Sequence, residues 1–422
     1  MPPRKAKPKK APAPAPPDPP KARVPRVWAN LLLLGVSVVL TLGMVEAGMR
    51  LALRHADESV STQYTEADPV RGWRHRPGAR GRFGQAEYVI NSRGLRDVEH
   101  APAPAPGDTR VLLLGDSFTE GFSVALEDGV ARALERDLHR DGCAAEVVNG
   151  GTVGYSTDQE YLFYRDEGVS YAPRIVVLLF YYNDILYNAR AAVPGGVAKP
   201  LFTFTGGTAR VKNYPLPPPP PPMRSARPWR GSVALTYFRE RLRDGAPRTY
   251  DALAKLRFWS PIRPGEAPIE MQVYDREPPE PVVQAWLQTE HLLALLQREV
   301  AAHGARLLVA YVPSKMEVSR ADWELTRRRY RLDESRWDRR LVVRRLEAVG
   351  QRLGVPVLDL TDALWAEQGR AYFAQGGHWN ARGHAVAARE IAELLQRATP
   401  CRVSPIGAPP VDGSSGSSRR SQ

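Results

Sequence analysis

Five short apolar runs constrain the fold of this 422-residue chain more than any other feature. The runs are continuous rather than alternating, which is typical of strands buried on both faces of a sheet. They occupy residues 110–114, 147–148, 175–180, 307–311 and 355–358. Helical patterns separate them, at residues 130–138, 283–302, 337–353 and 383–397. This alternation predicts an α/β fold with a five-stranded, mainly parallel sheet, helices on both faces and a ligand site beyond the carboxyl ends of the strands.

The first part of the chain contains a long uncharged stretch, at residues 27–45. At about 1.5 Å per helical residue, roughly 19 apolar residues cover the hydrocarbon core of a bilayer. Trp28 lies at one end of the stretch, and Glu46 and Arg50 close the other. We therefore expect a transmembrane anchor at residues 27–47. A cleaved signal peptide is the alternative.

The net charge of +13 is unevenly distributed along the chain. Residues 1–26 hold eight Lys or Arg and one Asp in a Pro- and Ala-rich sequence. Such a segment cannot bury a core, so we expect a disordered basic tail on the cytoplasmic side of the anchor. No zinc-finger spacing or aromatic RNA-binding motif accompanies the charge, which argues against a nucleic-acid partner. No two histidines share a ligand spacing with cysteine or carboxylate, so the sequence predicts no metal and no cofactor.

The remaining segments flank or interrupt the predicted sheet. We interpret residues 48–107 as an extended lead-in and linker, and residues 108–398 as the α/β domain. Residues 190–275 break the rhythm of strands and helices and contain a proline run, which predicts a long insertion. The Ser-, Gly- and Pro-rich segment 402–422 is expected to be a disordered tail.

The first strand ends in the sequence Gly115-Asp116-Ser117. A serine that follows a buried strand and opens a helix is well placed as a nucleophile at the carboxyl edge of the sheet. The backbone N–H groups of the helix start can stabilise an oxyanion there. The alternative is a helix N-cap, a position that serine often takes.

Polar or small residues also follow other strands of the predicted sheet. Gly154 follows the second strand and can present a bare backbone N–H, while the alternative is a glycine turn. Asn183 follows the third strand and can donate its amide to an oxyanion, or else form an Asn/Asp turn. His378 precedes the last helix, where a general base for Ser117 is needed, although a lone histidine is more often structural.

In this order the four positions resemble the SGNH/GDSL hydrolase family, in particular its membrane-anchored bacterial members. The resemblance covers residues 108–398 and is most specific in the Gly-Asp-Ser-Phe-Thr-Glu-Gly and His-Trp-Asn segments. It implies a three-layer α/β/α sandwich of flavodoxin-like topology. It also implies Ser117 and His378 as catalytic residues, with an oxyanion hole formed by Ser117, Gly154 and Asn183.

One departure from the family pattern concerns the triad acid. The family usually has an aspartate two or three residues before the histidine, and this chain has Gly376 and Gln375 there. Three outcomes stay open: a Ser117–His378 dyad helped by a backbone carbonyl, a distant acid, or an impaired site. The distant acids that lie near strand ends are Asp359, Asp362 and Asp184.

The resemblance implies hydrolysis of an ester through an acyl-enzyme, on an acylated small molecule or polysaccharide of the envelope or the exterior. An O-acetyltransferase of an envelope polysaccharide is the first alternative, and a carbohydrate-binding relative with an impaired site is the second. The anchor places the protein in the bacterial inner membrane as a single-pass protein, with its catalytic domain in the periplasm. Cys143 and Cys401, the only two cysteines, either pair there as a disulfide or are lone thiols.

Overall fold

The computed structural model describes residues 26–57, 64–83, 86–105, 107–193, 196–217, 232–256, 259, 267–374 and 376–398. Its strands are, in chain order, β1 (Thr65–Asp68), β2 (Gly72–His75), β3 (Arg80–Phe83), β4 (Ala86–Val89), β5 (Thr109–Gly115), β6 (Ala145–Asn149), β7 (Ile175–Tyr181), β8 (Phe202–Thr205), β9 (Thr208–Val211), β10 (Arg306–Val312) and β11 (Val357–Asp359). Its α-helices are α1 (Arg26–Asp57), α2 (Ser117–Glu120), α3 (Val130–Arg140), α4 (Thr157–Asp166), α5 (Asn183–Tyr187), α6 (Val233–Gly245), α7 (Pro247–Lys255), α8 (Glu280–Ala302), α9 (Lys315–Val318), α10 (Arg320–Tyr330), α11 (Leu341–Leu353), α12 (Thr361–Ala366) and α13 (Ala381–Ala398).

The five apolar runs form one parallel sheet, in the spatial order β6-β5-β7-β10-β11. By chain position this order is 2-1-3-4-5, the flavodoxin-like arrangement. The predicted fold class is therefore confirmed. Because parallel neighbours end at the same edge, the carboxyl ends of β5, β6 and β7 meet where the polar segments of the sequence begin.

Successive residues of the central strand β5 face opposite sides of the sheet, as the two-residue period of a strand requires. Leu112 and Leu114 belong to a core cluster with residues of α4, α8 and α11. Val111 and Leu113 belong to a second cluster with residues of α3, α12 and α13. The sheet is thus covered by helices on both faces, which gives the three-layer sandwich.

The lead-in before the sheet consists of two antiparallel hairpins, β1–β2 and β3–β4. Their buried residues Tyr64, Tyr88 and Ile90 form a small core of their own. The hairpins also contact the α/β domain, because the hydroxyl of Tyr155 donates to the carbonyl of Trp73 at 2.6 Å. The lead-in, which the sequence predicted only as extended chain, therefore forms two ordered hairpins. They pack against the loop that contains Gly154 and Tyr155.

The 190–275 insertion contains the β8–β9 hairpin, the two helices α6 and α7, and a 3₁₀-helix over Ile269–Tyr274. Of its proline run, residues 218–222 lie outside the described residues. The same is true of the tail predicted at 402–422, of residues 1–25 of the basic tail, and of Cys401. Cys143 is buried and is not a free thiol.

Helix α1 includes one span, Asn30–Leu51, that is long and apolar enough to cross a membrane. Its large apolar side chains are exposed, which is expected of a helix that meets lipid rather than a protein core. A signal sequence near the N-terminus has the same length and composition, so α1 is a candidate membrane span.

Candidate active site

Ser117 lies at the carboxyl end of the central strand β5, as the first residue of α2. The turn into this helix requires glycine before it: Gly115 has a φ of +149°, and a Cβ there would lie 2.1 Å from Oγ1 of Thr119. Asp116 caps the helix, since its Oδ1 accepts the N–H of Phe118 at 2.9 Å. The capping role is therefore held by Asp116, which leaves the hydroxyl of Ser117 available for another contact.

The other contact of that hydroxyl is His378. Oγ of Ser117 lies 2.9 Å from Nε2 of His378, across 261 residues of sequence. The loop that carries the histidine is fixed next to it, because the N–H of Phe373 donates to the carbonyl of His378 at 2.9 Å. The amide of Asn380 donates to the carbonyls of Arg370 and Tyr372 at 2.8 and 3.2 Å. The two ends of the domain thus meet at one rim of the sheet.

No carboxylate of the described residues bonds to the imidazole of His378. Burial lowers the pKa of His378, and a hydrogen bond to the backbone carbonyl of Gly376 opposes that shift. The three distant acids have other contacts. Asp359 accepts from Arg340 at 2.6 Å, and Asp362 pairs with the same guanidinium at 2.9 Å. Asp184 accepts the backbone N–H of Tyr181 at 3.4 Å.

Two aromatic rings hold the imidazole of His378 in place. The ring centroid of Phe122 lies 4.8 Å from that of His378, and the ring of Phe118 lies 5.1 Å away. Trp379 is fully buried beside Phe118, with its ring centroid at 5.0 Å. The His-Trp-Asn segment therefore supplies the imidazole that contacts Ser117, a buried ring in the core beneath it, and the amide of Asn380 that bonds to the loop.

Gly154 has a φ of +74°, a left-handed conformation that favours glycine. A Cβ on Gly154 would meet the Trp73 ring at 3.5 Å. The loop before Gly154 is bonded to the turn before Ser117, because the N–H of Thr152 donates to the carbonyl of Gly115 at 3.0 Å. No described residue accepts a hydrogen bond from the N–H groups of Ser117 or Gly154.

Asn183 begins α5 directly after β7, and its side chain contacts the N-cap Asp116. Burial raises the pKa of Asp116 to about 7, while hydrogen bonds from the N–H of Phe118 and from the Asn183 side chain oppose the shift. Asp116 therefore links the start of the nucleophile helix to the predicted oxyanion donor. Neither the turn nor the amide can rotate without losing this contact.

More buried titratable groups lie behind Asp116. Burial raises the pKa of Asp158, Glu160 and Asp184, and it lowers that of Lys199. Lys199 forms a buried ion pair with Asp158 and also donates to the carbonyl of Tyr187 at 2.9 Å. Because burial disfavours charge on the acids, the environment behind the site favours their protonated forms.

Glu120 is a site residue that the sequence reading overlooked, although it lies within the Gly-Asp-Ser-Phe-Thr-Glu-Gly segment. It is fully buried and accepts the hydroxyl of Tyr88 at 2.7 Å and the N–H of Val153 at 2.5 Å. Nε2 of His75 lies 3.2 Å from Oε2 of Glu120, the oxygen that also accepts the N–H of Val153. Burial raises the pKa of Glu120, but the contacts with His75 and Tyr88 outweigh burial and lower it. One carboxylate therefore joins both hairpins to the loop of Gly154.

The arrangement combines a hydroxyl, an imidazole with an oriented second nitrogen, and free backbone donors near them. These are the parts that acyl transfer through a covalent intermediate requires. Within the described ranges no group of three or more His, Cys, Asp or Glu side chains could hold a metal ion.

Comparison with known families gives a match at the C-terminal part of the chain. Residues 276–407 match a family model described as the SGNH hydrolase-like domain of the acetyltransferase AlgX. This range includes His378 and its loop. Among curated proteins, none matches the chain in sequence.

Several solved structures are distantly similar. TesA aligns with 13% identity and a TM-score of 0.37, over 68% of this chain and 99% of its own. A lipase/acylhydrolase from Enterococcus faecalis aligns with 14% identity and a TM-score of 0.37, over 69% and 96%. The acetyl xylan esterase AlAXEase aligns with 12% identity and a TM-score of 0.34, over 68% and 99%. At this distance they carry no inference about activity.

The family model and the parallel sheet agree on the fold. In general terms, a hydrolase-like domain described for an acetyltransferase supports an activity that cleaves or transfers an ester-linked acyl group. Residues 276–407 of the chain are thus similar to an SGNH hydrolase-like domain, and the sheet has the strand order that the resemblance to the SGNH/GDSL hydrolase family implies.

Proposed function

We propose that this protein cleaves an ester through Ser117 and an acyl-enzyme intermediate. His378 takes the proton from the Ser117 hydroxyl, and the serine oxygen attacks the ester carbonyl. The tetrahedral intermediate collapses and expels the alcohol, which receives the proton from His378. A water or an acceptor hydroxyl then attacks the acyl-enzyme and regenerates the serine.

The observation that carries this proposal is the 2.9 Å contact between Oγ of Ser117 and Nε2 of His378. A general base must lie within hydrogen-bond reach of the proton that it removes. The carbonyl of Gly376 holds the other ring nitrogen as a donor, so that Nε2 is the acceptor. We therefore favour a dyad oriented by a backbone carbonyl over a distant acid.

The proposed oxyanion hole consists of the N–H groups of Ser117 and Gly154 and the amide of Asn183. Donors fixed before the reaction stabilise the developing charge without having to reorganise. The contact of Asn183 with Asp116 and the bond between Thr152 and Gly115 supply this rigidity.

Two activities differ in the molecule that accepts the acyl group from Ser117. We propose hydrolysis to water on an acylated envelope or extracellular substrate, with α1 as the anchor in a bacterial inner membrane and the catalytic domain in the periplasm. Transfer to a polysaccharide hydroxyl is the second candidate, and the description of the matched family as an acetyltransferase favours it.

The experiment uses the full-length protein in detergent and an acetylated chromogenic ester. Ester turnover by the wild type and its loss in Ser117→Ala are the expected results, with an unchanged thermal unfolding midpoint as the control. A Ser117→Ala variant with full turnover would refute the proposal. The reaction is then run with and without an unacetylated polysaccharide as acceptor, and the products are analysed by mass spectrometry. Hydrolysis gives free acetate, whereas transfer gives an acetylated glycan.

A further inference from the structure

The helices α6 and α7, here called the insertion hairpin, expose apolar side chains that the hydrolase chemistry does not use. Leu235 and Phe238 on α6 are each 56% exposed, and Tyr237 is 46% exposed. Leu256, which follows α7, is 68% exposed. Scattered apolar residues on a surface need no explanation, but Leu235 and Phe238 are three residues apart on one face of α6 and form an exposed apolar patch.

The N-terminus of α6 is bound to the candidate membrane helix. Glu46 of α1 accepts the hydroxyl of Ser232 at 2.6 Å and the N–H groups of Val233 and Ala234 at 2.9 and 3.0 Å. Glu46 is the first charged residue after the uncharged stretch 27–45. In a membrane-spanning α1 this residue lies in the last turns of the candidate span Asn30–Leu51, close to the headgroups on the outer side.

The opposite side of the hairpin is attached to the hydrolase domain. Asp244 of α6 accepts from Nε of Arg329 in α10 at 2.9 Å, and Asp251 of α7 pairs with Arg331. Asp244 follows Leu235 by two and a half helical turns, since each turn takes about 3.6 residues. Leu235 therefore lies on the side of α6 that faces away from the domain.

We propose that the insertion hairpin lies in the outer membrane–water interface and docks the hydrolase domain on the bilayer. The apolar side chains of α6 enter the boundary between headgroups and acyl chains, as in interfacial amphipathic helices. The exposed guanidinium groups of Arg241 and Arg248 meet anionic headgroups at the rim.

This inference rests on the membrane location proposed above, and it adds a consequence for the active site. Glu46 of the anchor caps the N-terminus of α6, and the ion pairs of Asp244 and Asp251 connect the hairpin to α10 and to the residue that follows it. The height and the orientation of the domain above the bilayer are thereby fixed, rather than left to a flexible linker.

The test is photo-crosslinking in the full-length chain, reconstituted into nanodiscs of phosphatidylcholine and phosphatidylglycerol. A p-benzoylphenylalanine in place of Phe238 probes the hairpin. The matched control carries the same probe in place of Leu287 of α8, which is 47% exposed on the hydrolase domain. After irradiation, peptide mass spectrometry counts the lipid adducts at each position. We expect about tenfold more lipid adduct at 238 than at 287.

Equal lipid labelling at both positions, or none at 238, overturns the docking proposal. Crosslinks from 238 to a second copy of the chain overturn it as well, because protein then covers the patch. If the probe at 238 abolishes ester turnover, the same comparison is made at position 235. Ester turnover and incorporation into nanodiscs are measured on the same samples, so failure of the hydrolase assignment or of the anchor is distinguished from failure of the docking.

Discussion

At the scale of single residues, the environment of His378 sets the pH dependence of the proposed reaction. Two phenylalanine rings and one backbone carbonyl surround the imidazole, and burial lowers its pKa below the ordinary 6.5. A general base must be neutral, so activity is lost as pH falls through this lowered pKa. We expect the acid limb of kcat/KM to lie below pH 6.5. A limb above that value, measured with a soluble acetyl ester, would contradict the assigned environment.

Asp116 gives the free energy of unfolding a pH dependence opposite to that of the activity, because this free energy falls as pH rises. Its pKa is raised from 3.8 to about 7 in the fold, so the folded state holds a proton that the unfolded state releases between these values. Stability therefore falls as pH rises from about 4 to about 7, by at most about 1.4 kcal/mol per pH unit for one group. Asp116→Asn is expected to flatten this slope in thermal unfolding at several pH values. The exposed Asp128→Asn serves as the control and should leave the slope unchanged.

At the scale of elements, the hairpins before the sheet depend on Glu120. Breaking a buried charged contact typically costs about 3–5 kcal/mol, because the partners stay buried without it. Glu120→Gln removes the charge that faces His75 and holds the N–H of Val153. We expect a lower thermal unfolding midpoint and lower ester turnover, since the loop of Gly154 loses its attachment.

The matched control for this prediction is Glu127→Gln, a glutamate whose side chain is 73% exposed on the same segment. It should change stability by less than about 0.5 kcal/mol. If both variants behave alike in the unfolding scan, Glu120 does not connect these elements.

Elements with a strong local pattern were predictable from the sequence. Continuous apolar runs such as 175–180 became β7, because a strand buried on both faces needs no polar alternation. The lead-in gave no such signal: Tyr88 is buried by contacts with Glu120, 32 residues away. The helices of the insertion hairpin were missed for a related reason, since their attachment to Glu46 spans more than 180 residues. Such long-range contacts have no periodicity in the local sequence.

The positions of the candidate site residues could also be predicted from the local sequence. Ser117, Gly154, Asn183 and His378 each follow a strand or precede the last helix, and strand ends are readable from a sequence. A backbone carbonyl was one of the partners that the sequence left open for the second imidazole nitrogen. The sequence could not single out the carbonyl of Gly376, because every residue type supplies a backbone carbonyl.

At the scale of the whole molecule, a disulfide between Cys143 and Cys401, one of the two alternatives for these cysteines, would join the end of the last helix to the start of β6. Cys143 lies between α3 and β6, and α13 packs on α3, so the chain leaves α13 beside that region. We expect a Cys143–Cys401 peptide in a non-reducing digest of protein folded under oxidising conditions, and its loss on reduction. Cys143→Ser should lower stability by about 2–5 kcal/mol. A digest in which both cysteines carry an alkylating label without reduction would exclude the bond.

The most direct measurement of the central claim is labelling of the full-length protein with a fluorophosphonate, which reacts with an activated serine and releases fluoride. We expect one labelled peptide, modified at Ser117, and little labelling in His378→Ala because the hydroxyl loses its base. Folded protein in which Ser117 stays unlabelled, while a known serine hydrolase in the same sample reacts, would contradict it.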